Sequence, residues 1–121
     1  MTHKIEWNVP LYICQYFGAV DFDEMVKCVN TFQGDSRFDD VRAAIWDFSS
    51  VTELDLTVDQ CIRIAAQENA AAKTNPRIKI AVITSTNFAE TMANLFEAEM
   101  RSYPGKAKIF HNMDEAMSWC S

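Results

Sequence analysis

Four short motifs constrain the fold of this chain more than any other feature of its sequence. Asp21 is followed three residues later by Glu24, Thr57 by Gln60, Asn87 by Glu90, and Asn112 by Glu115. Each pair fits a capping box, in which a side chain at the helix start and one at the third helical position satisfy otherwise unpaired backbone N–H groups. Each also stands at a boundary that hydrophobic spacing marks independently. Together they predict four helices, with strands in the intervals.

The intervals read accordingly. Ile5, Trp7 and Val9 alternate with Lys4, Glu6 and Asn8, the period of a half-buried strand. Pro10 breaks that run. Leu11 to Phe17 predicts a second strand, paired antiparallel through a short hairpin and closed by Gly18. Phe22, Met25, Val26, Val29 and Phe32 recur at helical spacing, with Gly34 as the stop. Val41 to Phe48 predicts a strand centred on Ala43-Ala44-Ile45-Trp46, and a polar loop follows it. A second helix is expected over Val58 to Lys73, with Val58, Cys61, Ile62, Ala65 and Asn69 along one side, before Pro76. Arg77 to Thr84 predicts a strand buried on both faces through Ile80-Ala81-Val82-Ile83. Phe88, Met92, Leu95, Phe96 and Met100 mark a third helix. Pro104-Gly105 makes a turn, Lys106 to Phe110 a last strand, and Met113 to Cys120 a short closing helix. The order β-β-α-β-α-β-α-β-α predicts one α/β domain over residues 1–121. It consists of an N-terminal β-hairpin followed by βαβαβα units, a mostly parallel sheet of about five strands with about four helices.

Composition narrows the function. Apolar residues make up 49% and charged residues 23%, ordinary values for a globular chain with a buried core. No apolar run approaches the roughly 20 residues that span a bilayer. Met1 to Glu6 has no apolar signal core, so secretion by that route is not expected. A formal charge of -6 opposes nucleic acids and anionic membranes as partners, and it sits mainly at Asp21, Asp23, Glu24, Asp35, Asp39 and Asp40. Cys14, Cys28, Cys61 and Cys120 form no C-x-x-C pair, which predicts free thiols in a reducing cytoplasm.

Catalytic signatures are missing. No glycine-rich phosphate loop and no G-x-S-x-G elbow occurs, so no nucleotide cofactor is implied and hydrolase chemistry loses its usual signal. The two histidines are His3, near the N-terminus, and His111, after the last strand. Without clustered carboxylates beside them, no transition-metal site is expected. His111 with Cys120 is the one thiol–imidazole pairing to weigh, against an ordinary surface histidine. Asp47, Glu53, Asp55 and Asp59 crowd the strand-to-helix junction, as a weak cation site or as a solvated loop. An enzyme is not expected.

At that junction Thr57 places a hydroxyl on a helix N-terminus, beyond the carboxyl end of a buried strand. It serves as an N-cap, or it accepts a phosphoryl group that the helix dipole favours and the nearby carboxylates oppose. The arrangement Asp47-Phe48-Ser49-Ser50-Val51, then Asp55-Leu56-Thr57 opening a helix, resembles the STAS family, the SpoIIAA-like anti-sigma-factor antagonists. Members commonly carry a strand ending in Asp-Leu-Ser, then Asp-Ser-Ser-Gly or Asp-Thr-Ser-Gly at a helix start, the second hydroxyl residue being phosphorylated. On that resemblance Asp47 matches the strand-end aspartate, Asp55 the motif aspartate and Thr57 the acceptor. Leu56 replaces the first hydroxyl residue, and Val58 replaces the glycine that lets a kinase backbone come close. In element order the likeness covers nearly the whole chain, and it is to divergent stand-alone bacterial members.

The resemblance implies a non-catalytic regulatory module in the cytoplasm with a protein partner, kinase-like or regulatory. Its partner surface would comprise Asp47, Ser49, Ser50, Asp55, Thr57 and Asp59, with Ser49 and Ser50 as further acceptor candidates or plain turn residues. The family fold is also similar to lipid-transfer domains of the CRAL-TRIO type. Phe88, Met92, Leu95, Phe96 and Met100 accordingly line a small apolar ligand or form an ordinary core stripe. An enzyme of unrecognised class, resting on Asp55 or His111, ranks third. Trp7, Tyr12, Tyr16 and Trp119 are candidates for a homodimer interface or for core.

Overall fold

A computed structural model describes residues 2–101 and 106–121. The elements run β1 (His3–Asn8), β2 (Leu11–Asp21), α1 (Phe22–Gln33), β3 (Ala43–Asp55), α2 (Val58–Ala72), β4 (Lys79–Ile83), α3 (Asn87–Met100), β5 (Lys106–Phe110) and α4 (Met113–Cys120). A 3-10 turn at Phe38–Asp40 precedes β3. Among the described residues the five strands share one sheet in the order β1-β2-β3-β4-β5, with β1–β2 antiparallel and the other neighbouring pairs parallel. The α/β architecture expected from the sequence, a hairpin followed by βαβαβα units, is the architecture observed. The expected Pro104-Gly105 turn lies outside the described residues.

Because strand order follows chain order, crossovers of one hand carry α1, α2 and α3 onto one face of the sheet. There Tyr12, Tyr16, Trp46, Phe48 and Val82 meet Met25, Phe32, Ile64, Met92 and Phe96 in the larger core. The opposite face carries a smaller core of Ile45, Ala81, Ile83 and Phe110, covered by α4 through Ala116 and Trp119. β4 serves both faces, which is why Ile80 to Ile83 are all buried.

Three readings need correction, and one open alternative is decided. The stretch after Phe48 is strand and no loop: β3 continues to Asp55, and β2 likewise passes Gly18 to end at Asp21, the two staying paired to Asp21 opposite Asp55. Register shifts at Gln15/Phe17 and Gly18/Ala19, each with β3 one residue ahead, mark two bulges that bend this extension. Gly18 permits the second, with φ of 69° and open space where a side chain would sit, so its requirement is conformational and not steric.

The capping boxes are the second correction. α2 alone has both halves, from Thr57 and Gln60. At α1 the Asp21 carboxylate caps Glu24 N, but the Glu24 side chain turns to His3. α3 is capped one residue earlier than expected, by Thr86 accepting from Ala89 N, which frees Glu90 to bind His111. At α4 Asn112 caps Glu115 N while Glu115 bonds the Asn112 side-chain amide instead of its backbone.

β4 is shorter than the expected 77–84, since Arg77 and Ile78 belong to the turn after α2. Finally, of the two roles open to the aromatic residues, Trp7, Tyr12 and Tyr16 take core. Tyr12 stacks on Phe32 at 4.1 Å with Trp7 edge-on at 4.7 Å, and Tyr16 stacks on Phe48 at 4.7 Å. Trp119 is half-buried against Phe110 on the α4 face.

Candidate functional site: the N-terminal ends of α2 and α3

Thr57 stands in the open at the end of the β3 extension. Its Oγ1 accepts from Gln60 N at 3.1 Å, Gln60 Oε1 accepts from Thr57 N at 3.0 Å, and Thr57 O takes the Cys61 amide at 3.0 Å. The hydroxyl is therefore both an N-cap and an accessible group. Asp59, one turn ahead of Arg63, forms an exposed pair with it at 3.0 Å. Asp55, also exposed, closes the strand.

The expected surface residues fall into two groups. Asp55, Thr57 and Asp59 lie together at the tip. Asp47, Ser49 and Ser50 lie back along β3, with roughly 20 Å of extended chain between Ser49 and Asp55. Asp47 is buried; its carboxylate accepts from Ser49 N at 2.9 Å and from Gln15 Nε2 at 3.5 Å, which stiffens the strand where the bulge begins. Ser49 and Ser50 are exposed, and the Ser49 carbonyl accepts from the Ser85 hydroxyl at 3.1 Å.

A neighbouring apolar surface escaped the sequence reading. α2 and α3 follow parallel strands and so run side by side in one direction. Cys61 Sγ donates to Met92 O at 3.3 Å near their starts, and Asn69 Nδ2 donates to Glu99 O at 3.2 Å near their ends. That register sets Val58 and Phe88 at the same end, each one turn before the Cys61–Met92 contact. Val58 is 54%, Phe88 47% and Ile62 37% exposed, large values for such side chains. Helical spacing alone had assigned Val58, Ile62 and Phe88 to inward stripes. A polarity-blind period cannot tell the buried edge of a stripe from its exposed edge.

Beneath this end lies a wholly apolar cavity between the sheet and the three helices. Met25, Trp46, Leu54, Leu56, Met92 and Phe96 are among its walls, and its free volume is about 30 Å³. That holds one or two water-sized probes. Met92 and Phe96 thus face free space, Met100 is buried core, Leu95 is half-buried against the core and Phe88 points to solvent. Burial raises the Cys61 thiol to about 11, so it is an inert wall.

A buried carboxyl and a partly buried cluster were also missed. Glu68 is 1% exposed on α2 and accepts from Gln33 Nε2 of α1 at 2.9 Å; burial raises its carboxyl to about 8. Nothing in Gln67-Glu68-Asn69 distinguishes an inward glutamate from the solvated ones around it. The second is a cluster at the start of the sheet, where His3 Nδ1 meets Glu24 Oε2 and Cys28 lies beside both. Cys14 lies close by in the same core, and the interaction of the two thiols, with burial, holds Cys14 protonated and lowers Cys28. The expectation of no clustered ligands failed because His3 and Glu24, 21 residues apart, meet only through the fold. The spacing of Glu24 and Cys28, one helical turn, was the available signal. His111 pairs with Glu90 at 3.0 Å on the surface.

Two solved structures share this architecture. The anti-sigma factor antagonist SpoIIAA in its unphosphorylated form superposes with a TM-score of 0.64 and 9% identity, over 96% of this chain and 94% of that one. An uncharacterized protein of the DUF3478 family with a SpoIIAA-like fold, from Shewanella loihica PV-4, gives 0.54 and 14% over 98% and 92%. No family model matches the sequence, and no curated protein matches it significantly. The chain therefore has the SpoIIAA-like, STAS-type α/β fold. No helix among the described residues is long and apolar enough to cross a membrane.

Proposed function

We propose that this chain is a non-catalytic protein-interaction module whose partner docks on the N-terminal ends of α2 and α3. One observation carries the reading: the exposed apolar side chains of Val58, Ile62 and Phe88 lie at the same end of α2 and α3 as the exposed Thr57 hydroxyl and the Asp55 and Asp59 carboxylates. Apolar anchors ringed by polar groups are the usual composition of a docking surface. The SpoIIAA-like fold supports the same reading by analogy of architecture. Thr57 is the residue at which phosphorylation would regulate docking. A phosphoryl group there adds nearly two negative charges beside Asp55 and Asp59, and it displaces the hydroxyl from Gln60 N.

Affinity capture from a bacterial lysate, comparing the wild-type chain with a Val58→Asp/Phe88→Asp double variant, tests the surface. A partner held by the wild type and lost by the folded variant supports it; one held equally by both refutes it. Incubation with lysate and ATP, followed by intact-mass analysis of wild type and Thr57→Ala, tests the switch. Phosphate that persists in the variant, or that leaves capture unchanged, removes Thr57 from that role.

The apolar cavity favours a second reading, a small hydrophobic ligand against Met92 and Phe96. Its present volume is far below that of an acyl chain, so binding requires the helices that line it to move off the sheet. Native mass spectrometry of gently purified protein decides this: a retained apolar mass supports the ligand, and a bare chain opposes it.

A further inference from the structure

His3, Glu24 and Cys28 bring an imidazole, a carboxylate and a thiol to one point, their donor atoms all within 4.8 Å of one another. The geometry points to a site for a single divalent metal ion of borderline softness, Zn2+, held by these three side chains with solvent in the fourth position.

The donor set is the first argument. Nitrogen, oxygen and sulfur in one site suit zinc, whereas Mg2+ and Ca2+ call for oxygen alone. Spacing is the second. Zn–N, Zn–O and Zn–S bonds of about 2.0–2.3 Å put tetrahedral donors roughly 3.3–3.8 Å apart, a spacing that the 4.8 Å span of these three donor atoms brackets. Glu24 and Cys28 stand one helical turn apart on α1 and face the same way, the arrangement by which a helix presents two ligands. His3 comes from the edge strand β1, fixed there by its pairing opposite Tyr16.

The surroundings fit as well. The His3 and Glu24 side chains are 15% and 21% exposed, which leaves an entry path and room for a water ligand. Cys28 is buried in the core beside Tyr16, which shields the sulfur side of the cluster from solvent. On binding, Cys28 Sγ loses its proton to solvent and forms the metal–sulfur bond. The ion would clamp β1 to α1, adding a second tie to the hairpin.

The test uses the full chain, reduced and freed of metal by chelation, titrated with Co2+ as a spectroscopic stand-in for Zn2+. The site predicts one ion per chain, thiolate-to-cobalt charge-transfer absorption, and loss of the signal when Zn2+ is added. Cys28→Ser should abolish the charge-transfer band. His3→Gln should keep the sulfur signal but weaken affinity by about 100-fold or more, since even outer-shell changes cost 10–100-fold. At one fixed concentration, Zn2+ should raise the melting temperature of the wild type by clearly more than that of His3→Gln. No band in the wild type, or a band that survives in Cys28→Ser, overturns the proposal. Should Cys28→Ser misfold by circular dichroism, His3→Gln decides alone: undiminished affinity in that variant is equally fatal.

Discussion

The β2–α1 and β3–α2 junctions begin alike and end differently. Asp21 and Asp55 face each other at the last rung of the paired strands. Each strand then feeds a helix through the same local signature, an oxygen-bearing cap with Glu or Gln three residues on. At β3–α2 the signature closes on itself: Thr57 and Gln60 exchange both hydrogen bonds, and the tip stays exposed. At β2–α1 the cap survives but Glu24 leaves it for His3, beside Cys28. A capping motif therefore fixes where a helix starts, while long-range neighbours decide what its third side chain does.

Substitutions can break this comparison, and the largest effect should come from packing behind α1. Phe32 is buried against Tyr12, Trp7 and Phe38, so Phe32→Ala should cost about 3–5 kcal/mol in urea unfolding. Loss below about 1 kcal/mol would mean that α1 is held by its cap and not by its core face.

Next comes the α1–α2 seam. The Glu68 carboxyl rises from 4.5 to about 8 because burial penalises its charged form. Its neighbours there, Gln33 and the Tyr12 hydroxyl, are uncharged. Between those values the unfolded chain binds fewer protons at this group than the folded one, so the contribution of Glu68 to stability is fully present below about 4.5 and is lost as pH rises toward 8. Glu68→Gln keeps the acceptor for Gln33 and removes the charge. It should exceed the wild type at pH 8 by on the order of 2–4 kcal/mol and match it near pH 4. Parallel pH profiles for the two proteins would dispose of the buried-carboxyl account.

The caps themselves should be smaller and equal. Asp21→Ala and Thr57→Ala should each cost about 1 kcal/mol in thermal unfolding. Unequal losses would show that one junction depends on its cap far more than the other. Smallest is the difference in the third side chains. Gln60→Ala should cost about 0.5 kcal/mol and speed hydrogen exchange of the Thr57 amide, whose acceptor it removes. Glu24→Ala should leave the Asp21 amide exchanging at its wild-type rate, because Glu24 does not accept from it.

Most of the fold is visible in the sequence because period and caps agree. β5 and α4 have the expected bounds, and α2 begins where Thr57 and Gln60 indicate. The β3 extension is invisible for a physical reason. Val51 and Leu54 both face inward yet stand three residues apart, a spacing that no regular strand allows and that the bulge at Gly18/Ala19 makes possible. Read without that bulge, Ser49 to Asp55 has no period and passes for loop. α3 shows a different ambiguity: Thr86 and Asn87 are both competent caps, and only the geometry selects Thr86. Within the candidate site Thr57 is legible from its cap, whereas the exposure of Val58 and Phe88 depends on the register between two helices.

The claim at the centre is that partners meet this molecule at the N-terminal ends of α2 and α3. Hydrogen–deuterium exchange of the chain alone and with its captured partner tests it most directly. The account predicts slowed exchange over residues 57–62 and 86–92, with the β1 edge and the α4 face unchanged. Protection confined to β1 or α4, with 57–62 left as fast as in the free chain, would contradict it.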